Sequence, residues 1–459
     1  MTSVTLSQSP LSSVAIPERP PRKALFRTLV FSIYFTSCIV LCHVIQILLQ
    51  PFRLLPQTKF IARRVNEWAK GSFGKCLVSM IWLFSPSKLV LYFRDEHGNI
   101  LDPAPYVEFD RQGYLARLNL PKRSIWISNH QVYTDWLYLW IICYYCEFHG
   151  NLYIILKDSL KWVPFVGPAM QWFDFIFLAR SWAKDQRTLA HHLSKLANVS
   201  KKVASPLALF IFPEGTLVSP LTRPQSKKYA NKVGLDDCRH LLLPRSTGLL
   251  YCARALKQEI DDLVLVDATI GYPGIPSDGY GQSYYTLRSI FMQGVPPPSV
   301  HVSITIRNIK AGPPPLNLEH AAKDAGNMPV GDIGSFDREI CHLDLNAGEL
   351  EKRAFDAWLL ARWREKDDLM DGFYRNGDFV SGAFVRNKAD AGEYYRPDET
   401  PSPIGSDTSK GIRMDKQKQY VAVPIRPRRP FIEMMNNIAY GVPLFGGWAV
   451  WRTWHAWHA

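Results

Sequence analysis

Between about residues 120 and 310, short apolar runs recur between longer mixed segments. That alternation constrains the fold more than any other feature of the chain. Residues 125–128, 154–156, 175–178, 207–212 and 263–270 are each the length of a strand and rich in β-branched and aromatic side chains. Helical or loop segments separate them, which is the pattern of an α/β domain. The expected architecture is a central, mostly mixed sheet with flanking helices. Val300, Val302, Ile304 and Ile306 alternate with His301, Ser303, Thr305 and Arg307, predicting a strand with one wet face.

The flanks read differently. Residues 1–27 are rich in Ser and Pro and carry Arg19, Arg22 and Lys23, predicting a flexible basic start. Residues 29–49 are largely apolar and long enough to cross a bilayer. They are too long, and lack the small-residue cleavage site, for a cleaved signal peptide. A second apolar stretch, 76–84, is interrupted at Pro86 and resumes at 88–93, too short and broken for a clear span. Basic residues flank the first stretch on both sides, so charge gives no orientation. Over residues 28–95, a hairpin that enters and leaves the same face, or a helix pair lying partly in one leaflet, fits better than two crossings. Leu350, Phe355, Trp358, Leu359 and Trp363 recur at helical spacing within 311–380, a helical extension packing on the domain. Residues 381–430 are polar and rich in Pro, Gly and Ser, predicting a disordered linker. In the terminal segment, 431–459, Trp448, Trp451, Trp454 and Trp457 recur every third residue, suited to the headgroup level of a membrane.

A balance of 54 Lys+Arg against 41 Asp+Glu gives a net charge of +13 and points to a polyanionic partner. Fourteen tryptophans and 20 tyrosines turn that reading from nucleic acid toward a lipid surface. The eight cysteines form no framework, and Cys143-x-x-Cys146 continues an apolar run, so these are read as packing thiols without a metal.

After the strand-like Ile125-Trp126-Ile127 comes Asn129-His130-Gln131-Val132-Tyr133-Thr134-Asp135-Trp136. An imidazole with a carboxylate beside it suits proton abstraction near neutrality. Positions i and i+5 diverge by roughly 140° around a helix. The two groups can meet only if His130 precedes the first turn and Asp135 lies within it. Chance alone supplies roughly half a His-x4-Asp in a chain of this make-up. A second copy, His97 to Asp102, falls in a polar turn and is read as surface loop.

Three further turns follow strands. Phe212-Pro213-Glu214-Gly215-Thr216 offers backbone N–H groups, a carboxylate and a hydroxyl. Arg180 follows Phe175-Ile176-Phe177-Leu178-Ala179 as a cation ready for phosphate, and Tyr272-Pro273-Gly274 closes the last apolar run. In this order and spacing, the four segments resemble the four motifs of the membrane-bound glycerolipid acyltransferases, over roughly residues 28–380. Leu156 to Gly167 and Leu243 to Leu249 resemble that family's intervening segments. Trp363-Arg364-Glu365-Lys366-Asp367 with Phe373-Tyr374 is similar to the lysocardiolipin and lysophosphatidylinositol branch. One departure is Trp172-Phe173-Asp174, where many members carry a Gly before the second motif.

The resemblance implies an acyltransferase domain over 96–310, with acyl-CoA as co-substrate and no metal or redox cofactor. His130 would take the proton from the free hydroxyl of a lysophospholipid as that oxygen attacks the thioester, and Asp135 would orient His130. Arg180, Glu214, Gly215 and Thr216 would form the acceptor site, with Asn129, Phe212, Pro213 and Pro273 as further motif residues. The acceptor would be of the lysophosphatidate or lysophosphatidylinositol type, with lysocardiolipin as the alternative, and the location the endoplasmic reticulum membrane. Two rival classes remain. A lipase or thioesterase would need a nucleophilic serine, but the chain has no Gly-x-Ser-x-Gly elbow. A membrane scaffold would have no use for His130, Asp135 and Glu214 together.

Overall fold

The structure, a computed structural model, describes residues 10–22, 24–179, 181–309, 347–380 and 419–439. Its centre is an eight-stranded sheet of β1 (Lys88–Arg94), β4 (Arg123–Ser128), β5 (Leu152–Lys157), β6 (Ile176–Leu178), β7 (Leu207–Ile211), β8 (Val264–Gly271), β9 (Ser299–Asn308) and β10 (Val421–Pro424). The strands β2 (Val107–Phe109) and β3 (Leu115–Leu118) form a separate hairpin. Across the large sheet the order is β10-β1-β9-β8-β4-β7-β5-β6. From β8 to β6 every pairing is parallel, while β9 is antiparallel to β8 and β10 antiparallel to β1. The fold is therefore mixed α/β, as expected.

The helices are α1 (Leu25–Leu48), α2 (Gln50–Leu54), α3 (Lys59–Phe84), α4 (Asp135–Tyr145), α5 (Val166–Trp172), α6 (Trp182–Val203), α7 (Arg223–Val233), α8 (Thr247–Lys257), α9 (Glu349–Asn376) and α10 (Pro430–Ala439). Each central strand splits its side chains between two cores, because successive residues face opposite ways. Trp126 joins Leu77, Ile81 and Trp140 on the side of α3 and α4. Ile125 and Ile127 join Leu189, Leu193, Leu249 and Trp363 on the side of α6, α8 and α9. Burial on both faces is why β7, Leu-Ala-Leu-Phe-Ile, reads as one continuous apolar run.

Four sequence expectations change. The polar face of β9 is dry: His301, Ser303, Thr305 and Arg307 are all buried. Their polar atoms are partnered instead of solvated. Tyr92 lies 2.8 Å from His301 Nδ1, Arg94 donates to Ser303, and Arg307 donates to Asp267. Second, residues 88–94, included among the membrane helices, form strand β1, and the stretch of α3 from Cys76 to Ile81 is domain core. Third, residues 10–22 of the expected flexible start pack on the domain. There Arg19 donates to the carbonyls of Val14 and Tyr284, and Arg22 to those of Gln293 and Gly294. Fourth, the end of the expected linker supplies β10, in register with β1 from Lys88↔Pro424 to Leu91↔Val421. Residues 310–346, 381–418 and the tryptophan-rich 440–459 lie outside the described residues.

Among the described residues α1 is the one helix long and apolar enough to cross a membrane. At 1.5 Å per residue it spans about 36 Å. Leu25, Phe26, Leu29, Ile33, Ile47 and Leu48 are exposed along it, while Phe31 packs on Phe84 and Phe291.

Candidate active site

The carboxyl ends of β4, β7 and β8 lie side by side, with Ile127 opposite both Ile211 and Asp267. In open α/β sheets that edge is where ligands bind. The loop leaving β4 is fixed to its neighbours residue by residue. Asn129 donates from Nδ2 to the Ile270 carbonyl at 3.0 Å and accepts the Ile270 N–H at 2.8 Å, locking the loop to β8. The His130 N–H donates to Glu214 Oε1 at 3.1 Å, and its carbonyl accepts the Val218 N–H at 3.2 Å. The backbone on both sides of the imidazole is thereby fixed.

Asp135 is the first residue of α4, so His130 precedes the helix and the carboxylate opens it, the arrangement the spacing required. His130 Nδ1 and Asp135 Oδ2 are 2.8 Å apart. The same oxygen accepts the N–H groups of Gln131 at 2.7 Å and Val132 at 3.1 Å. Oδ1 accepts the Tyr272 hydroxyl at 2.6 Å. A carboxylate at a helix N-terminus also gains from the helix dipole. It holds the Nδ1 proton and leaves Nε2 with the free lone pair. The Asp135 side chain is 0% exposed and that of His130 is 19% exposed, so the ring can be reached while its partner is dry. Phe212 stacks on the ring with centroids 4.4 Å apart. His97 forms no such pair. Its own N–H and that of Asn99 donate to Asp95, and Asp102 accepts the Ala104 N–H, all in an exposed turn.

Glu214, expected in the acceptor site, spends its carboxylate on structure. Oε1 accepts from His130 and Oε2 accepts the Leu242 N–H at 3.2 Å. Burial pushes its pKa up to about 8, against the downward pull of those two N–H donors. The folded state then holds this proton more tightly than the unfolded chain, so stability declines as pH rises from near 4.5 through 8. Thermal unfolding of detergent-solubilised protein should show that decline. Glu214→Gln should start lower at pH 6, because an amide nitrogen accepts no hydrogen bond, and fall less steeply to pH 9. An equal slope in both proteins would remove Glu214 as its source.

A family model described as Acyltransferase matches residues 114–271, which include the His130 loop, the Glu214 turn and the end of β8. An uncharacterised acyltransferase of Schizosaccharomyces pombe is 32% identical over 321 residues, 70% of this chain and 78% of the relative. The chain belongs to the acyltransferase family. A 2-acyl-1-lysophosphatidylinositol acyltransferase of Saccharomyces cerevisiae is 29% identical over 390 residues, covering 78% and 87% of the two chains. Lysocardiolipin acyltransferase 1 of Danio rerio is 28% identical over 253 residues, covering 55% and 53%.

In this acyltransferase α9 braces the site from behind. Lys366 reaches Asp267 at 2.5 Å and donates to the Ala268 carbonyl at 2.6 Å, with Arg307 on the same carboxylate. These two cations outweigh the opposing effect of burial and hold the Asp267 carboxyl below its usual range. Asp367 accepts three consecutive N–H groups, of Arg239, His240 and Leu241, at 2.7, 2.8 and 3.1 Å. The next N–H in that loop, on Leu242, is the one that holds Glu214. Tyr374 donates to Gln131 at 3.3 Å, which brings the end of α9 to the His130 loop itself.

A cleft of about 1230 Å³ opens at Glu214 and Thr216 and runs between α7 and α9, past Ser226, Tyr229, Arg245 and Asp356. The left-handed turn at Gly215, with φ of 70°, brings its backbone beside the Arg245 side chain. Arg245 is exposed and fixed through its N–H, which donates to the Pro213 carbonyl at 2.8 Å. Glu214 and Thr216 line the cleft, Gly215 forms the turn between them, and the Pro273 carbonyl accepts the Tyr285 hydroxyl. Arg180 lies outside the described residues; the N–H groups on either side of it, of Ala179 and Ser181, both donate to Asp185. Sequence reasoning gave no role to Tyr272 or Arg245, although both stand in quoted segments. It gave none to Gln131, whose backbone and side chain join the dyad to α9.

Proposed function

We propose that this acyltransferase moves an acyl group from acyl-CoA to the free glycerol hydroxyl of a lysophospholipid. The observation that carries the reading is the partly exposed His130 ring, held through Nδ1 by a fully buried carboxylate, with its backbone bonded to Glu214 at the mouth of the cleft. His130 Nε2 takes the acceptor hydroxyl proton as that oxygen attacks the thioester carbonyl. The new C–O bond forms, the C–S bond breaks, and the imidazolium returns its proton to the departing thiolate. Asp135 stabilises the imidazolium between these events. No metal enters the scheme. A membrane-facing, water-poor site keeps the thioester from hydrolysis.

Among acceptors, the lysophosphatidylinositol type stands first. The cleft exceeds the ordinary size range of small-ligand sites, roughly 300–1,000 Å³, and hydroxyls and paired charges line it, as a phosphorylated polyol requires. The Saccharomyces cerevisiae relative, which covers most of this chain, carries that acceptor in its name. The exposed Trp162, Phe165, Phe52 and Phe60, with the apolar residues exposed along α1, would rest in the bilayer, here assigned to the endoplasmic reticulum.

Membranes carrying the protein should transfer label from acyl-CoA to lysophosphatidylinositol faster than to lysophosphatidate or a lysocardiolipin. Transfer to none of the three would overturn the reading, and preference for another would reassign the acceptor. Arg245→Ala should raise the KM for the acceptor about tenfold, the worth of a hydrogen bond to a charged group, roughly 1.5 kcal/mol. Its kcat should stay within about twofold, since the lost contact is made equally in ground and transition states. An unchanged acceptor KM would remove Arg245 from the headgroup site.

A further inference from the structure

Tyr272, the residue after β8, is fully buried, and its hydroxyl donates to Asp135 Oδ1 at 2.6 Å. The two carboxylate oxygens are used unequally. Oδ2 serves the His130 ring and two backbone N–H groups, whereas Oδ1 has, among the described residues, the Tyr272 donor alone. We infer that Tyr272 is a positioning residue for acyl transfer, acting through Asp135 on His130. The inference rests on the reading of His130 as the base.

The physical case has two parts. Rotation about the Asp135 Cβ–Cγ bond would carry Oδ2 away from the imidazole, and a donor on the opposite oxygen opposes it. A dry carboxylate oxygen with no donor also loses the hydrogen bonds that water would have given it, so the fold is disfavoured when that donor is missing. The tyrosine is itself held in place. Its ring lies 6.0 Å from that of Tyr138 and 5.9 Å from that of Tyr285, whose hydroxyl donates to the neighbouring Pro273 carbonyl. Burial and the adjacent Asp135 charge push the Tyr272 phenol well above its ordinary pKa, so it remains a donor across the working pH range. The titratable groups around the carboxylate are His130, Tyr138, Tyr272 and Glu214. Three of them are neutral near pH 7: the two phenols, and Glu214 with its pKa near 8. The strand end carrying Tyr272 therefore helps fix the orientation of the dyad, and the fourth motif is more than a turn.

The test is Tyr272→Phe, which keeps the ring and removes the donor. Steady-state acyl transfer should show kcat down about tenfold, with KM for acyl-CoA and for the lysophospholipid within twofold. The acid limb of the kcat/KM profile should move to higher pH, because a carboxylate with one fewer donor holds the imidazolium proton more tightly. In an Asp135→Asn background the same substitution should cost no further activity. A tyrosine that merely packs would leave the acid limb in place and cost as much in that background; either result would overturn the inference. Should Tyr272→Phe fail to fold, 3,5-difluorotyrosine at 272 keeps ring and hydroxyl while strengthening the donor, and the acid limb should then move to lower pH. An unmoved limb counts against the inference there too. Full activity in His130→Ala would sink the base itself, whereas an inactive His130→Ala beside a wild-type Tyr272→Phe would sink only the role of Tyr272.

Discussion

His130→Ala should lower acyl transfer by about 10³-fold, within the roughly 10²–10⁴-fold range supplied by a positioned general base. The loss should fall on kcat, since the ring is needed when the hydroxyl loses its proton and adds little to ground-state binding. Folding should survive, because the structural bonds of this residue run through its backbone, to Glu214 and Val218, and its side chain is partly exposed. Assaying labelled acyl-CoA and lysophospholipid with mutant and wild-type membranes decides the matter. Equal rates would refute the mechanism. His97→Ala is the matched control: the same residue type at the same spacing from an aspartate, but in an exposed turn, so its rate should equal wild type.

Asp135→Asn should cost nearly as much, about 10²–10⁴-fold in kcat, for a different reason. The amide presents a donor where the carboxylate accepted four, and one of its two atoms must then face a donor. If the amide oxygen keeps Gln131 and Val132, its nitrogen confronts the Tyr272 hydroxyl. If the amide turns over, its nitrogen confronts His130 Nδ1 and drives the proton to Nε2, which disables the base. Because Asp135 also ties down the first turn of α4, this variant should be less stable as well, and a thermal midpoint must accompany each rate. Activity within tenfold of wild type in a folded Asp135→Asn protein would show that the ring needs no anionic partner.

The dyad was legible because its constraint is local. Five residues, one strand end and one helix start fix where both groups can go. The α/β class was legible for a similar reason, since strands buried on both faces leave continuous apolar runs. What escaped were features settled by distant partners. The alternation along β9 is real, but α9 covers its polar side and the sheet supplies partners for His301, Ser303 and Arg307, so polar no longer meant wet. Tyr272 sat in a recognised segment, yet nothing in Tyr-Pro-Gly reveals that its hydroxyl ends on Asp135. The structural bonds of Glu214 were hidden because its two backbone partners, on His130 and Leu242, are remote in sequence. Strand β10 was hidden by its polar, proline-rich surroundings, where a four-residue strand leaves too short a pattern to read.

Strand β10 also sets a schedule for synthesis. The outer edge of β1 stays bare until Pro424, the partner of Lys88, has left the ribosome, long after the His130 loop and the strands around it have been made. An unpaired strand edge invites pairing with another chain. A chain that stops between the end of α9 at Asn376 and the start of β10 at Val421 would therefore carry a nearly finished catalytic centre and an adhesive flank, and should aggregate.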